Sequence, residues 1–198
     1  MRQVTQTLPE GYAPLMRIDL QKDRRTAVRI NTAAIAVMAA MALLFHFLAV
    51  PFSLFFGGSE RVSDVLLHAA ALILGYTAYI ALHELTHAAV MKAFGAKEVR
   101  FGFTGLYAWA GSGKDWFRKG AYLAVALAPV IVWGIVFEVL RMTLPRDWAW
   151  IIWALQIGNV SGAAGDLYVT FRFARLPSGI LIRDTGAAMD VYAPAGAE

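Results

Sequence analysis

The sequence predicts an all-α membrane protein, a bundle of four transmembrane helices with a short β-hairpin or edge strand on the cytoplasmic side. The 198 residues are 59% hydrophobic and only 16% charged, whereas a soluble domain has about 25% charged residues. Four long stretches are almost free of charge, and most Lys and Arg residues lie outside them. We therefore expect a lipid bilayer to be the main solvent of this chain.

Each predicted span has about 20 residues or more, the length that a helix needs to cross roughly 30 Å of hydrocarbon. The four spans are Ile30–Phe56, Asp64–Phe94, about Gly120–Leu140 and about Trp148–Phe173. This predicts three segments: a cytoplasmic arm at 1–29, a four-span domain at 30–173 and a cytoplasmic tail at 174–198.

The positive residues predict the orientation. Of 18 Lys and Arg residues, 15 lie in the N-terminal arm, in the segment from Lys92 to Lys119 and in the stretch from Arg172 to the C-terminus. Because such residues accumulate in cytoplasmic loops, both termini of this multi-pass protein of the cell membrane are expected to be cytoplasmic. The basic residues do not form one block interleaved with exposed aromatic residues, so nucleic acid is not an expected partner.

Two segments outside the spans have the composition of short strands. The aromatic and glycine-rich stretch Val99–Ala110 (VRFGFTGLYAWA) is typical of a hairpin or edge strand near the membrane surface. Gly179–Tyr192 is similarly expected to form a small strand and a turn.

The densest group of ionisable residues at membrane depth is His83, Glu84 and His87, in the sequence HELTH. Charged groups there cost about 2.5 to 3.5 kcal/mol each, so they need a functional or pairing explanation. The HExxH spacing brings two imidazoles one helical turn apart, where both reach one metal ion, and Glu84 is placed as general base for a water molecule. The alternative is a pair of core histidines with a helix-surface glutamate. Because the chain has no cysteine, thiolate zinc sites and cysteine nucleophiles are excluded.

A zinc hydrolase site needs a third protein ligand, for which Asp166 is the candidate. Asp166 lies six residues before Arg172, and His87 lies five residues before Lys92. Since the second and fourth spans run in the same direction, the two side chains are expected at similar depth. The alternative is an ion pair between Asp166 and Arg172.

Asn159 lies about two helical turns before Asp166 and faces nearly the same direction. We predict that it holds a scissile carbonyl or a peptide strand. An equally weighted alternative is a hydrogen bond between helices. Small residues around it would let the fourth span approach the second closely: Gly158, Ser161, Gly162 and Gly165.

These motifs together resemble those of the membrane zincin peptidases, a family filed as a domain of unknown function. The resemblance covers roughly residues 60–192 and rests on HELTH, VRFGF, ALAP (Ala126–Pro129) and GNVSGAAGDLY (Gly158–Tyr168). The chain is more remotely similar to site-2 proteases, in which HExxH on one span meets an Asp of an Asn-containing motif on a later span. The resemblance implies zinc bound by His83, His87 and Asp166, with Glu84 catalytic.

The resemblance also suggests a role for Val99–Phe103 as an edge strand that holds an unwound substrate through main-chain hydrogen bonds. The alternative is a surface loop whose aromatic residues lie at the lipid headgroups.

The sequence therefore predicts a membrane-embedded zinc metallopeptidase that acts on a peptide or membrane-protein substrate. The alternative is a heme-binding or otherwise non-catalytic multi-span membrane protein, in which His46 and His68 of the first two spans ligate heme.

Overall fold

The structure, a computed structural model, describes residues 3–51, 61–103, 107–186 and 188–196. These ranges contain five α-helices: α1 (Arg24–Leu48), α2 (Val62–Ala93), α3 (Lys119–Thr143), α4 (Ala149–Gly162) and α5 (Ala164–Ala174). A 3-10 turn at Arg146–Trp148 precedes α4. The same ranges contain seven strands: β1 (Val4–Thr5), β2 (Tyr12–Ile18), β3 (Arg100–Phe103), β4 (Ala108–Gly111), β5 (Trp116–Arg118), β6 (Leu181–Asp184) and β7 (Met189–Pro194).

The all-α fold prediction is wrong, because five of the strands form an antiparallel sheet in the order β1-β5-β6-β7-β2. The polar arm and tail of the sequence analysis supply four of these strands. Hydropathy averaged over a window as long as a membrane span does not detect strands of only a few residues. The pairing partners are also distant in the chain, with Tyr12 opposite Pro194, so no local sequence pattern predicts the sheet.

The predicted hairpin is confirmed, since β3 and β4 form a separate antiparallel pair with Arg100 opposite Gly111. The predicted strand and turn near the C-terminus are also confirmed, because β6 and β7 pair with Asp184 opposite Met189.

Three helices in the described part of the chain are long and apolar enough to cross a membrane: α1, α2 and α3. The fourth predicted span is wrong as one continuous helix, because it divides into α4 of 14 residues and α5 of 11. Glycines in this segment weaken a helix by roughly 0.5–1 kcal/mol each relative to alanine. In addition, the Ser161 hydroxyl donates to the Ile157 carbonyl at 2.7 Å, a contact that often bends helices. The first predicted span extends to Phe56, and its part from 52 onward lies outside the described residues.

The chain divides into two compact units, and the first comprises Met1–Ile30, Glu84–Ala128 and Gly165–Glu198. It contains the five-stranded sheet, the end of α2, the beginning of α3 and nearly all of α5. Its core includes side chains with no exposed surface from the sheet, from α5 and from the segment before β6: Phe117, Ile182, Val191, Phe173 and Ile180. This packing holds His87 of α2 and Asp166 of α5 within one unit. The predicted arm and tail both contribute strands to this unit; the three-segment division stays a prediction.

The second unit comprises Asn31–His83 and Pro129–Ala164. Phe45 of α1 packs on Trp150 and Trp153 of α4, with ring centroids 5.0 and 4.6 Å apart. The predicted close approach of small residues is confirmed at Gly158, where a Cβ would lie 2.4 Å from the Tyr76 ring of α2. Apart from the neighbouring residues and the backbone of their own helices, no described atom lies within 4 Å of such a Cβ at Gly162 or Gly165.

Candidate metal centre

The predicted metal ligands His83 and His87 lie one turn apart on α2, and both are buried. The boundary between the two units falls directly after His83, but α2 is continuous there. The helix itself therefore fixes the spacing of the two rings. Glu84 follows His83 on the same helix and is half-buried.

Asp166 lies in the first turn of α5, where the positive end of the helix dipole favours a carboxylate. Its Oδ2 atom is 3.6 Å from His87 Nε2. One ligand atom from each of His83, His87 and Asp166 lies within 4.8 Å of the other two. Two zinc ligands at 2.0–2.1 Å in tetrahedral geometry would be about 3.3 Å apart. Two imidazoles and a carboxylate at these separations fit the donor set of a catalytic zinc site, which leaves the fourth position open.

The ring of His87 is oriented by a backbone carbonyl of α3. Its Nδ1 lies 2.9 Å from the carbonyl oxygen of Val125, and because a carbonyl only accepts, Nδ1 carries the proton. In the neutral ring the lone pair is then on Nε2, the nitrogen that faces Asp166. Pro129 follows Val125 by four residues inside α3, and a proline has no N–H to donate to that carbonyl. This role of the Val125 carbonyl was not predicted, although a proline inside a predicted span signals a freed carbonyl.

His83 is oriented by a side chain instead. Its Nδ1 lies 2.9 Å from the hydroxyl of Tyr79, one turn earlier on α2. That hydroxyl also donates to Oδ1 of Asn159 at 3.0 Å, and Asn159 Nδ2 donates to the Val130 carbonyl at 3.0 Å. Sequence reasoning missed Tyr79, although its position four residues before a ligand histidine placed it on the same helix face.

Asn159 has no exposed surface, and its side-chain amide forms hydrogen bonds to residues of both α2 and α3. The hydrogen bond between helices that the alternative interpretation expected is thus confirmed. Direct contact of Asn159 with a substrate stays a prediction.

A second buried polar pair, Tyr122 of α3 and Asp184 of β6, lies in the first unit. The Tyr122 hydroxyl donates to Asp184 Oδ2 at 2.6 Å, and the Gly186 N–H donates to Oδ1 at 2.7 Å. Burial raises the pKa of the Asp184 carboxyl; the two hydrogen bonds and His87 lower it, and the Asp166 carboxylate raises it further. The pair was missed because 62 residues separate its members.

The β3–β4 hairpin exposes Phe101 and Phe103, which are 53% and 72% accessible. A Cβ at Gly102 would lie 2.2 Å from the Trp109 indole, and one at Gly186 would lie 1.8 Å from it. These two glycines therefore provide the space that the indole occupies. Within the described residues β3 pairs with β4 on one edge and with no strand on the other.

The remaining histidines of the sequence analysis lie against aromatic rings. The His68 ring is 5.1 Å from Trp148, and the His46 ring is 4.7 Å from Phe47. These contacts describe aromatic packing, and heme ligation by His46 and His68 stays an alternative prediction.

A profile of the family described as "Putative zincin peptidase" matches residues 76–181, more than half of the chain. The chain belongs to this family. The range matched by the zincin-peptidase family begins on α2 and ends in β6, so it includes His83, Glu84, His87, Asn159 and Asp166. No curated protein and no solved structure matches the chain. The resemblance to zincin peptidases is thus confirmed, and the likeness to site-2 proteases stays a remote one.

Proposed function

We propose that the chain is a membrane-embedded zinc metallopeptidase that hydrolyses peptide bonds of membrane or membrane-proximal substrates. The observation that carries this proposal is the grouping of His83, His87 and Asp166, whose ligand atoms lie within 4.8 Å of one another. Membership of the zincin-peptidase family supports the reaction class. The three long apolar helices support the membrane location.

In the proposed site His83, His87 and Asp166 hold the zinc ion. Zinc supplies Lewis acidity, which lowers the pKa of a water molecule toward 7 and polarises a carbonyl. The Glu84 carboxylate accepts a proton from the water that adds to the peptide carbonyl carbon. It then gives the proton to the amine nitrogen as the C–N bond breaks. Asn159 contributes either by contacting the substrate or by orienting a ligand.

The hairpin supplies a way to bind substrate. Peptide bonds inside a helix are shielded, so an extended substrate conformation is needed before hydrolysis. The edge of β3 that pairs with no strand of the described residues offers main-chain donors and acceptors to such a segment. The exposed side chains of Phe101 and Phe103 make the surface of β3 apolar, which suits a substrate segment close to the membrane.

The proposal is tested by zinc content and cleavage measured on the purified full-length chain. We expect bound zinc in the wild type and its loss in His83→Ala and Asp166→Ala. His68→Ala removes another buried histidine of α2 and serves as the matched control that keeps zinc. Glu84→Gln is expected to keep zinc and to lose cleavage of a membrane-protein substrate. Zinc retained in Asp166→Ala would remove the third ligand, and cleavage surviving in Glu84→Gln would remove the mechanism.

We further propose that both termini are cytoplasmic in the cell membrane. Because the native chain has no cysteine, single cysteines report sidedness without background. A membrane-impermeant maleimide should label Asp147→Cys in intact cells and Ser178→Cys only after permeabilisation. The reverse pattern would overturn the orientation.

A further inference from the structure

A buried chain of hydrogen bonds leads from the backbone of α3 to the ring of His83. It runs from the Val130 carbonyl through the amide of Asn159 and the hydroxyl of Tyr79 to His83 Nδ1, with successive distances of 3.0, 3.0 and 2.9 Å. Tyr79 is 5% exposed and Asn159 has no exposed surface. The hydrogen bonds therefore form away from water, where an unmade bond costs the most.

The chemistry of the groups fixes the direction of every proton in this chain. The Val130 carbonyl only accepts, so the nitrogen of the Asn159 amide faces it and the amide oxygen faces Tyr79. That oxygen also only accepts, so the single hydroxyl proton of Tyr79 points to Asn159. The Tyr79 oxygen is then an acceptor toward His83, and Nδ1 of His83 must be the donor. A neutral His83 ring with its proton on Nδ1 has its lone pair on Nε2.

We propose that Tyr79 and Asn159 are positioning residues that hold His83 in its Nδ1-protonated tautomer and thereby present Nε2 to the metal ion. This inference rests on the metal site of the proposed function. It gives His83 the same tautomer as His87, whose Nδ1 donates directly to the Val125 carbonyl. Hydrogen bonds to the second nitrogen of a metal-binding histidine fix the ring and raise its basicity.

The packing around Asn159 is consistent with a built device. A Cβ at Gly134, on α3, would lie 3.5 Å from Asn159 Nδ2, an ordinary van der Waals distance, so the Asn159 amide lies directly against this part of α3. The Tyr79 ring belongs to an apolar cluster with Phe137, Ile152 and Leu155. This cluster holds the Tyr79 ring, while the Tyr79 hydroxyl forms part of the chain of hydrogen bonds from the Val130 carbonyl to His83. We call this chain of hydrogen bonds the relay.

A role of Tyr79 and Asn159 in orienting His83 predicts an effect on metal affinity. Neither a substrate contact of Asn159 nor a purely structural hydrogen bond between helices predicts that effect. Tyr79→Phe removes the hydroxyl and leaves the ring in its cluster. Loss of such an outer hydrogen bond lowers metal affinity by about 10- to 100-fold, and we expect a loss in this range for Tyr79→Phe and for Asn159→Leu. Because either change breaks the same relay, the double variant should lose no more than the larger single loss.

The experiment measures zinc affinity by chelator competition on the folded full-length chain, together with the visible absorption of the Co²⁺-loaded protein. Tyr76→Phe is the matched control, because it makes the same chemical change three residues earlier on α2 and should leave affinity and spectrum unchanged. In His83→Ala, addition of Tyr79→Phe should cause no further loss. Thermal unfolding of the metal-free variants establishes that the compared proteins are folded.

The outcomes separate this inference from the proposed function. If the wild type binds zinc, His83→Ala lowers the affinity and Tyr79→Phe does not, the relay is overturned and the metal site stands. If Tyr79→Phe and Asn159→Leu lower only the unfolding temperature, both residues are structural and the relay is overturned. Additive losses in the double variant would also overturn it. If the wild type binds no zinc, the metal site and the relay both fall.

Discussion

Restoring a backbone N–H at position 129 should weaken the metal site while it strengthens the helix. In the wild type, the Val125 carbonyl lacks its usual helical donor because residue 129 is proline. It accepts from His87 Nδ1 at 2.9 Å instead. The substitution Pro129→Ala introduces an N–H that competes for this carbonyl, so the His87 ring is held less firmly.

The two expected magnitudes have opposite signs. Loss of an outer hydrogen bond to a metal-binding histidine costs about 10- to 100-fold in affinity. Because a carbonyl has two lone pairs, His87 keeps a weakened bond, and the expected loss is near the lower end, about tenfold or 1.4 kcal/mol. An alanine in place of an interior proline favours the helix by at most about 3 kcal/mol. The metal-free variant should therefore be more stable than the wild type.

The assay pairs zinc affinity, measured by chelator competition, with thermal unfolding of the metal-free full-length chain. Pro145→Ala is the control, because Pro145 lies ahead of the 3-10 turn and outside the described α-helices. Unchanged zinc affinity in Pro129→Ala would refute the role of the freed carbonyl. A parallel fall in affinity and stability would show general damage to α3 and would refute it as well.

Three further predictions concern the fold and the substrate. Burial raises the pKa of Asp184 above its ordinary value of 3.8, so the folded chain keeps this proton to higher pH than the unfolded chain. Its contribution to stability then falls as pH rises between the unfolded and folded pKa values; Asp184→Asn should flatten this part of a denaturation profile, and an unchanged profile would contradict the assignment. Gly158→Ala places a Cβ against the Tyr76 ring and should destabilise the chain by about 1–3 kcal/mol, whereas Gly165→Ala should not lower the thermal unfolding temperature; equal effects would contradict the close packing. Proline substitutions through Val99–Phe103 should lower substrate cleavage at unchanged zinc content, and full cleavage would remove the edge-strand role.

The apolar helices were predictable because their signal is local and long. Val62–Ala93 reproduces the predicted second span to within two residues at its start and one at its end. The sheet was not predictable in this way, because its strands are short and pair across the chain. Tyr12–Ile18, for example, joins the sheet by pairing with Met189–Pro194, and neither segment contains information about the other.

The candidate ligands were predictable because each one follows from a feature of the sequence itself. His83 and His87 share a helix at a spacing that suits one ion, and Asp166 was matched to them by depth, although the span that carries it is broken. The groups that orient the ligands were not predicted. Val125 acts through its backbone, and Tyr79 belongs to a residue type common in apolar helices.

The two histidines are oriented by different means because the backbone around them differs. An α-helix uses its own carbonyls as acceptors, and an interruption of this ladder leaves a carbonyl fully available to a neighbouring histidine. Pro129 makes that interruption for His87. The Val130 carbonyl accepts a hydrogen bond from Asn159, which accepts one in turn from the Tyr79 hydroxyl. These two side chains connect the carbonyl to His83. The contact of His87 therefore depends on Pro129, which frees the Val125 carbonyl, whereas the contact of His83 depends on the side chains of Asn159 and Tyr79.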